Sequence, residues 1–488
     1  MGSSLPSNFD VVPSNDMGEY VGDEPESNTW PCYLWGGFEE RRGFVGREDT
    51  FKAIDDCFFT QTSSGTIRCL VDIQQLPCCS ISGLGGMGKT QTAIHYAFAR
   101  REEFDAIFVI QADNSAKLSE KFYKIALALG LSDVTDKGDK SSEEADLVVN
   151  RSKALKWLSS PKFSATALGQ RTKVRGNMAT REPNWLLIFD NVEDSHILED
   201  YWPLGGVGCI LMTTRDARTS NHLRSQSHVT HIYLDKLGTA PASELFLQLS
   251  YTDRSAINTQ DASVIVDKLG GLPLAIEQVA AYISGKSMTL KEFLTLYDET
   301  LLERRKSDTG SRPWSYEIAT SWALGSLTAA ASSLIRVCSF LDPDGIQDSF
   351  LTCSLTKYHL RTPPQGYPDH QLSHIDARGE LLKSSLISVN MSTTPFIIRM
   401  HRLVQDISLA GITTPQRAEV FTFVVTVIFE AWPFTKNNWD HQAGLWSTQE
   451  ALLQHIFRLS HIATTYDIGG LELSLKRKFI TLLSSGGW

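Results

Sequence analysis

The sequence predicts an α/β core, a parallel sheet flanked by helices, followed by a helical unit, a winged-helix unit and a mostly helical tail. Three observations carry this expectation. Residues 83–90 read Gly-Leu-Gly-Gly-Met-Gly-Lys-Thr, a G-x-x-x-x-G-K-T phosphate loop. Short apolar runs alternate with helical periodicity up to about residue 240, and beyond that point helical spacing dominates. In the loop, Gly83, Gly85, Gly86 and Gly88 let the backbone curl so that its N–H groups face phosphate oxygens. Lys89 can reach the β- and γ-phosphates, and the Thr90 hydroxyl can ligate Mg²⁺. Cys78 to Ser82 before the loop suits a buried strand. Behind it, Ala93, Ile94, Ala97 and Phe98 share one helical face, so a helix N-terminus adds its partial positive charge to the cradle.

Along the chain, residues 1–42 are rich in Ser, Pro, Asn, Asp and Glu and are expected to form a disordered leader. Residues 43–240 form the expected nucleotide-binding unit. The runs at 106–112, 185–190, 208–215 and 231–234 suit strands covered on both faces, and 117–130 and 144–158 suit the helices between them. Residues 159–184 are polar, basic and aperiodic, which predicts a long surface loop before a core strand. Residues 241–312 are expected to be helical and to close with a charged link at 303–312. In 313–410, helices at 318–327 and 331–341 precede a hairpin of 385–389 and 396–400, the pattern of a winged helix. Residues 411–488 are expected to be helical and to lead into an incomplete tetratricopeptide-like array. Within that region, 471–488 carries an apolar face with no partner helix in the chain.

Bulk properties narrow the function. The 488 residues carry a net charge of −10, which argues against nucleic acid as the main partner. The 8 cysteines include no C-x-x-C pair, so free thiols in a reducing compartment are expected. No signal-peptide pattern opens the chain, and the most apolar window, Val420 to Phe434, is too short to span a bilayer. A cytoplasmic protein without membrane contact is the expectation.

A phosphate loop needs an acidic partner for the metal, and Trp185-Leu186-Leu187-Ile188-Phe189-Asp190 supplies one at the end of an apolar run. With Phe44-Val45-Gly46-Arg47-Glu48, residues 210–216 (ILMTTRD), Gly270-Gly271-Leu272-Pro273-Leu274 and Met400-His401-Arg402-Leu403-Val404-Gln405, six motifs stand in order. On these motifs, residues 44–405 resemble the NB-ARC branch of the STAND P-loop NTPases, most closely the NLR-like proteins of filamentous fungi, which the helix carrying Trp322 also resembles.

The resemblance implies a role for each motif. Val45 and Arg47 line the adenine pocket and Pro273 packs on the base, while the loop, with Thr92 just behind it, binds phosphate. Thr90 and Asp190 hold Mg²⁺, and Arg215 senses the γ-phosphate. His401 reaches the β-phosphate of ADP from the winged-helix unit. The implied function is a signalling switch, closed with ADP and self-associating with ATP, with an unknown protein partner. It acts as a slow ATPase at most. A truncated or degraded relative that binds nucleotide without signalling, and a STAND-type transcription regulator, are the alternatives.

Two positions depart from the family pattern. Asn191 stands where many members carry a second acid, so hydrolysis is expected to be slow or to use Glu193 or Asp194. Arg402 replaces the usual Asp after the histidine, so that restraint is expected to be missing.

Overall fold

The structure is a computed structural model of the chain. It describes residues 30–41, 43–61, 67–69, 76–131, 143–163, 181–219, 227–307, 320, 323–356, 363–390, 396–433 and 443–485. Trp322 and the middle of the expected 159–184 loop lie outside the described residues, as do 318, 319 and 321 of the expected 318–327 helix and residues 1–29 of the expected leader.

The strands of the first unit are β1 (Cys32–Leu34), β2 (Phe59–Gln61), β3 (Ile67–Cys69), β4 (Leu76–Ser82), β5 (Ala106–Gln111), β6 (Trp185–Val192), β7 (Gly208–Thr214) and β8 (Ser227–Tyr233). Six of them form one sheet in the order β1-β5-β6-β7-β4-β8, and every pairing in it is parallel. Strands β2 and β3 form a separate antiparallel pair. Four helices accompany the sheet: α1 (Glu48–Phe58), α2 (Lys89–Ala99), α3 (Ser115–Ala128) and α4 (Glu143–Ser159). Alternate residues of each strand enter opposite cores. Leu186 and Ile188 pack with Ile94 and Phe98 on one face, whereas Leu187 and Phe189 pack with Leu118 and Phe122 on the other. Burial on both faces is why these strands appear in the sequence as unbroken apolar runs.

The expected leader is corrected from Trp30 onward. Cys32, Tyr33 and Leu34 pair with Ala106, Ile107 and Phe108 at the sheet edge. Trp30 is buried beside Trp157 and Phe163. A strand of 3 residues is too short to show a period, which hid it.

Helices α5 (Thr239–Leu249), α6 (Ala256–Lys268), α7 (Pro273–Lys286) and α8 (Leu290–Ser307) follow. Helix α8 continues through 303–307, which had been expected to open a link. Glu, Arg and Lys are good helix formers, so a charged stretch does not by itself end a helix. Next come α9 (Ala329–Ser339), β9 (Ile346–Gln347), α10 (Asp348–Thr356), α11 (Gln371–Lys383), β10 (Ile387–Asn390), β11 (Ile397–Met400) and α12 (Arg402–Ala410). The antiparallel sheet β10-β11-β9 beside these helices is a winged-helix arrangement.

The C-terminal helices are α13 (Thr414–Ala431), α14 (Ala443–Thr465) and α15 (Leu473–Ser485). They share one core with the winged-helix elements: Leu334, Phe340, Ile398 and Val404 belong to the same cluster as Phe421, Ile456 and Leu482. The apolar face of the last helix therefore does have a partner within the chain. Leu475 and Leu482 are buried, and Phe479 meets Phe421 edge-on at 5.3 Å between ring centroids. Among the described residues, no helix is long and apolar enough to cross a membrane.

Candidate nucleotide site

Strand β4 ends at Ser82, and the chain turns at Gly83 into the loop that opens α2. Gly83 has φ +150°, and a Cβ there would lie 2.7 Å from the Leu234 carbonyl oxygen. Only glycine allows this approach to the chain leaving β8. Gly86, at φ +79°, faces Leu274, whose Cβ lies 3.3 Å from where a Gly86 Cβ would be. The Leu274 N–H donates to the Gly86 carbonyl at 3.3 Å, so the start of α7 abuts the loop.

Lys89 is the first residue of α2, and its Nζ donates to the carbonyls of Gly83 at 2.8 Å and Leu84 at 2.9 Å. The ammonium thus lies within the curve of its own loop. Burial, and then the neighbouring Arg215, lower its pKa to about 8. Arg47 ties the entering chain to the same loop, donating to the Met87 carbonyl at 3.0 Å and to that of Asp235 at 2.6 Å.

The expected metal pair is brought together by sheet order. Because β7 lies between β4 and β6, Asp190 at the end of β6 accepts from Thr213 of β7 at 2.7 Å. The same carboxylate oxygen accepts from the Thr90 hydroxyl at 2.7 Å. Burial raises the Asp190 pKa, opposed by these two hydroxyls. A carboxylate and a hydroxyl side by side are the hard oxygen ligands that Mg²⁺ prefers, so these residues fit the ion. Thr92 spends its hydroxyl within α2, on the Gly88 carbonyl at 2.8 Å.

One cavity of about 340 Å³ gathers the predicted residues. Val45, Arg47, Gly85, Gly86, Gly88, Lys89, Thr90, Thr92, Asp190, Arg215, Pro273 and His401 all line it, and Gly83 does not. Gly83 instead shapes the turn behind the wall. Arg215 is exposed just beyond β7, and His401 enters from the far side as the residue before α12. The His401 Nδ1 accepts the Leu403 N–H at 3.1 Å, so the neutral ring carries its proton on Nε2 and can donate to a ligand. Solvent reaches this ring from the cavity. Surrounding protein, followed by Arg215 and Lys89, lowers its pKa to about 4.

Asn191 lines the cavity, and its backbone N–H donates to Thr213 at 2.8 Å. Neither Glu193 nor Asp194 lines it. Asp194 instead caps a 3₁₀ turn by accepting from the His196 N–H. The alternative bases considered from sequence are therefore not at the site.

Several cavity residues escaped the sequence reading, and four of them did so in instructive ways. Phe38 and Arg41 belong to the segment taken as leader, and Arg41 pairs with Glu277 at 3.0 Å. The aromatic series Trp30, Tyr33, Trp35 and Phe38 is the signal that could have flagged that segment, being too apolar for a disordered one. Glu277 stands one helical turn from Pro273 and could have been found from that spacing. Asp344 carries no motif.

Loop, Thr90–Asp190 pair and parallel sheet define the class: a P-loop NTPase fold with one cavity at its phosphate loop. The motif series set on that fold resembles that of the NLR-like P-loop proteins, and a curated relative with an NLR-like name is similar over part of the chain. The chain is 25% identical over 285 residues to a nucleotide-binding leucine-rich repeat (NLR)-like protein of Hyaloscypha variabilis. That match covers 54% of this chain and 24% of the relative, so the chain spans about a quarter of the curated relative's length. Residues 322–417 match a domain of unknown function, DUF7779. Among solved structures, a STAND protein with a tetratricopeptide repeat sensor from Pyrococcus horikoshii is similar over 92% of this chain and 51% of its own, at 13% identity and a TM-score of 0.47. A Walker-type ATPase of Pyrococcus abyssi is similar over 76% of this chain and 97% of its own, at 10% identity and a TM-score of 0.31.

Proposed function

We propose that the chain binds ADP and ATP and works as a slow switch, closed with ADP and self-associating with ATP to engage a protein partner. The observation that carries this reading is the convergence of Lys89, the Thr90–Asp190 pair, Arg215 and His401 on one cavity. Lys89 and Arg215 supply the positive charge a phosphate chain needs, and the loop N–H groups add to it. Thr90 and Asp190 would hold Mg²⁺, which supplies charge neutralisation at the terminal phosphates. Pro273, Val45 and Arg47 line the same cavity, and the resemblance assigns them to the base.

Slow turnover is supported by the lining. Asn191 cannot accept a proton from water, and Asp190 is committed to two hydroxyls. Glu277 and Asp344 are held in ion pairs. A switch needs long residence in each state rather than rapid hydrolysis.

The test is the nucleotide that copurifies with the protein. We expect ADP in near-stoichiometric amount, and its loss in Lys89→Ala, which removes the cation inside the loop. A Lys89→Ala protein that retains ADP as firmly as the parent would refute the assignment of the loop.

A further inference from the structure

Arg402 was expected to leave a restraint missing, yet the structure surrounds it with partners. Its Nη2 lies 2.8 Å from Asp113 and 2.8 Å from Asp344. Lys117 Nζ lies 3.1 Å from Asp113, 2.9 Å from Asp342 and 3.1 Å from Asp344. Lys117 is only 4% exposed and Asp113 and Asp342 9% each, so the charges meet largely away from water. The groups come from separate parts of the chain. Asp113 and Lys117 stand where β5 passes into α3, Asp342 and Asp344 lie between α9 and β9, and Arg402 opens α12. Helix α14 joins them: His455 Nδ1 accepts the Asp342 N–H at 2.9 Å, and Gln454 accepts from Asn114 at 3.2 Å.

Resting on the switch reading above, we infer that Arg402 is a positioning residue for His401 and so controls nucleotide release. Two facts join to carry this. The guanidinium is anchored across the boundary between the nucleotide unit and the winged-helix unit, and it belongs to the residue directly after His401. Arg402 and Asp344 also line the nucleotide cavity itself, beside His401. Anchoring Arg402 to Asp113 therefore fixes the first turn of α12, and with it the His401 ring that lines the cavity. A buried ion cluster is sensitive to the loss of one member, because the remaining charges are left uncompensated. Removing Arg402 adds one unbalanced negative charge to a cluster in which three carboxylates already outnumber two cations. Neutralising Asp113 takes one negative charge away. The two changes should compensate each other across the unit boundary.

The test measures release of a fluorescent ADP analogue from the full chain. Arg402→Gln should speed release by about tenfold, and Arg402→Lys by less. Adding Asp113→Asn to Arg402→Gln should bring release back toward the parent rate, an effect that simple loss of packing does not produce. Adding Arg402→Gln to His401→Ala should give no further acceleration, because Arg402 acts through that ring. Unchanged release in Arg402→Gln, multiplying effects with His401→Ala, or no rescue by Asp113→Asn would each overturn the inference. Should Arg402→Gln fail to fold, Arg402→Lys with and without Asp113→Asn takes its place under the same criteria. A parent chain that binds no ADP defeats the switch reading and the positioning role together. The charge coupling is then read separately from melting temperatures of the nucleotide-free proteins, where absence of rescue removes it too.

Discussion

At the scale of single residues, Lys89 sets how phosphate binding responds to pH. Its pKa stands at about 8 before a ligand arrives, lowered first by burial and then by Arg215. A phosphate adds negative charge and raises that pKa, so binding above the free value must take up a proton. ADP affinity should therefore be level just below pH 8 and fall as pH rises through it, by about tenfold per pH unit until the bound pKa is passed. His401, with its pKa at about 4, stays neutral across that window and does not contribute. Titrations of ADP between about pH 7.5 and 9.5 check this, and Lys89→Arg, which holds its charge throughout, should flatten the profile. Affinity that rises with pH would contradict the role of the ammonium.

At the scale of elements, the strand–loop–helix unit around residues 76–99 was legible because its determinants are local. The glycines, the lysine and the helical face lie within one short stretch. The partnership between α15 and α13 was not legible, since an amphipathic face shows that it needs a partner without naming one. The docking of α15 should be measurable. Leu482 is fully buried in the core shared with α13, so Leu482→Ala should cost about 2–5 kcal/mol and lower the melting temperature. ADP affinity should stay unchanged, because α15 contributes nothing to the cavity. Full stability in that variant would mean that the helix does not rest there.

At the scale of the whole molecule, the cavity is closed by parts far apart in sequence. His401 meets a loop more than three hundred positions earlier, and Arg402 bonds to Asp113 across 289 positions. In the proposed switch, the Nε2–H of His401 donates to the β-phosphate of ADP, a charge-assisted bond that contributes about 1.5–3 kcal/mol. Such a bond shifts a two-state balance by about one to two powers of ten. Parent protein saturated with a non-hydrolysable ATP analogue should elute with a larger hydrodynamic radius than the ADP form, and His401→Ala should reach that form more readily. Identical elution in both nucleotides would defeat the opening step. In the same comparison, ADP should raise the melting temperature of the parent more than that of His401→Ala. Equal shifts would mean that His401 serves only as the cap of α12.

The sequence by itself determined the α/β core, the phosphate loop, the aspartate ending β6 and the order of the motifs, because each is written in residue types at short range. Only the tertiary structure decided that Asp190 bonds to Thr90 across the intervening β7, that residues 32–34 add an edge strand while Phe38 and Arg41 line the cavity, and that Arg402 is anchored rather than idle. The physical reason is common to all three. A charge, or an edge of backbone, takes its meaning from the partner that folding brings to it, and those partners lie on other elements, where no local pattern points to them.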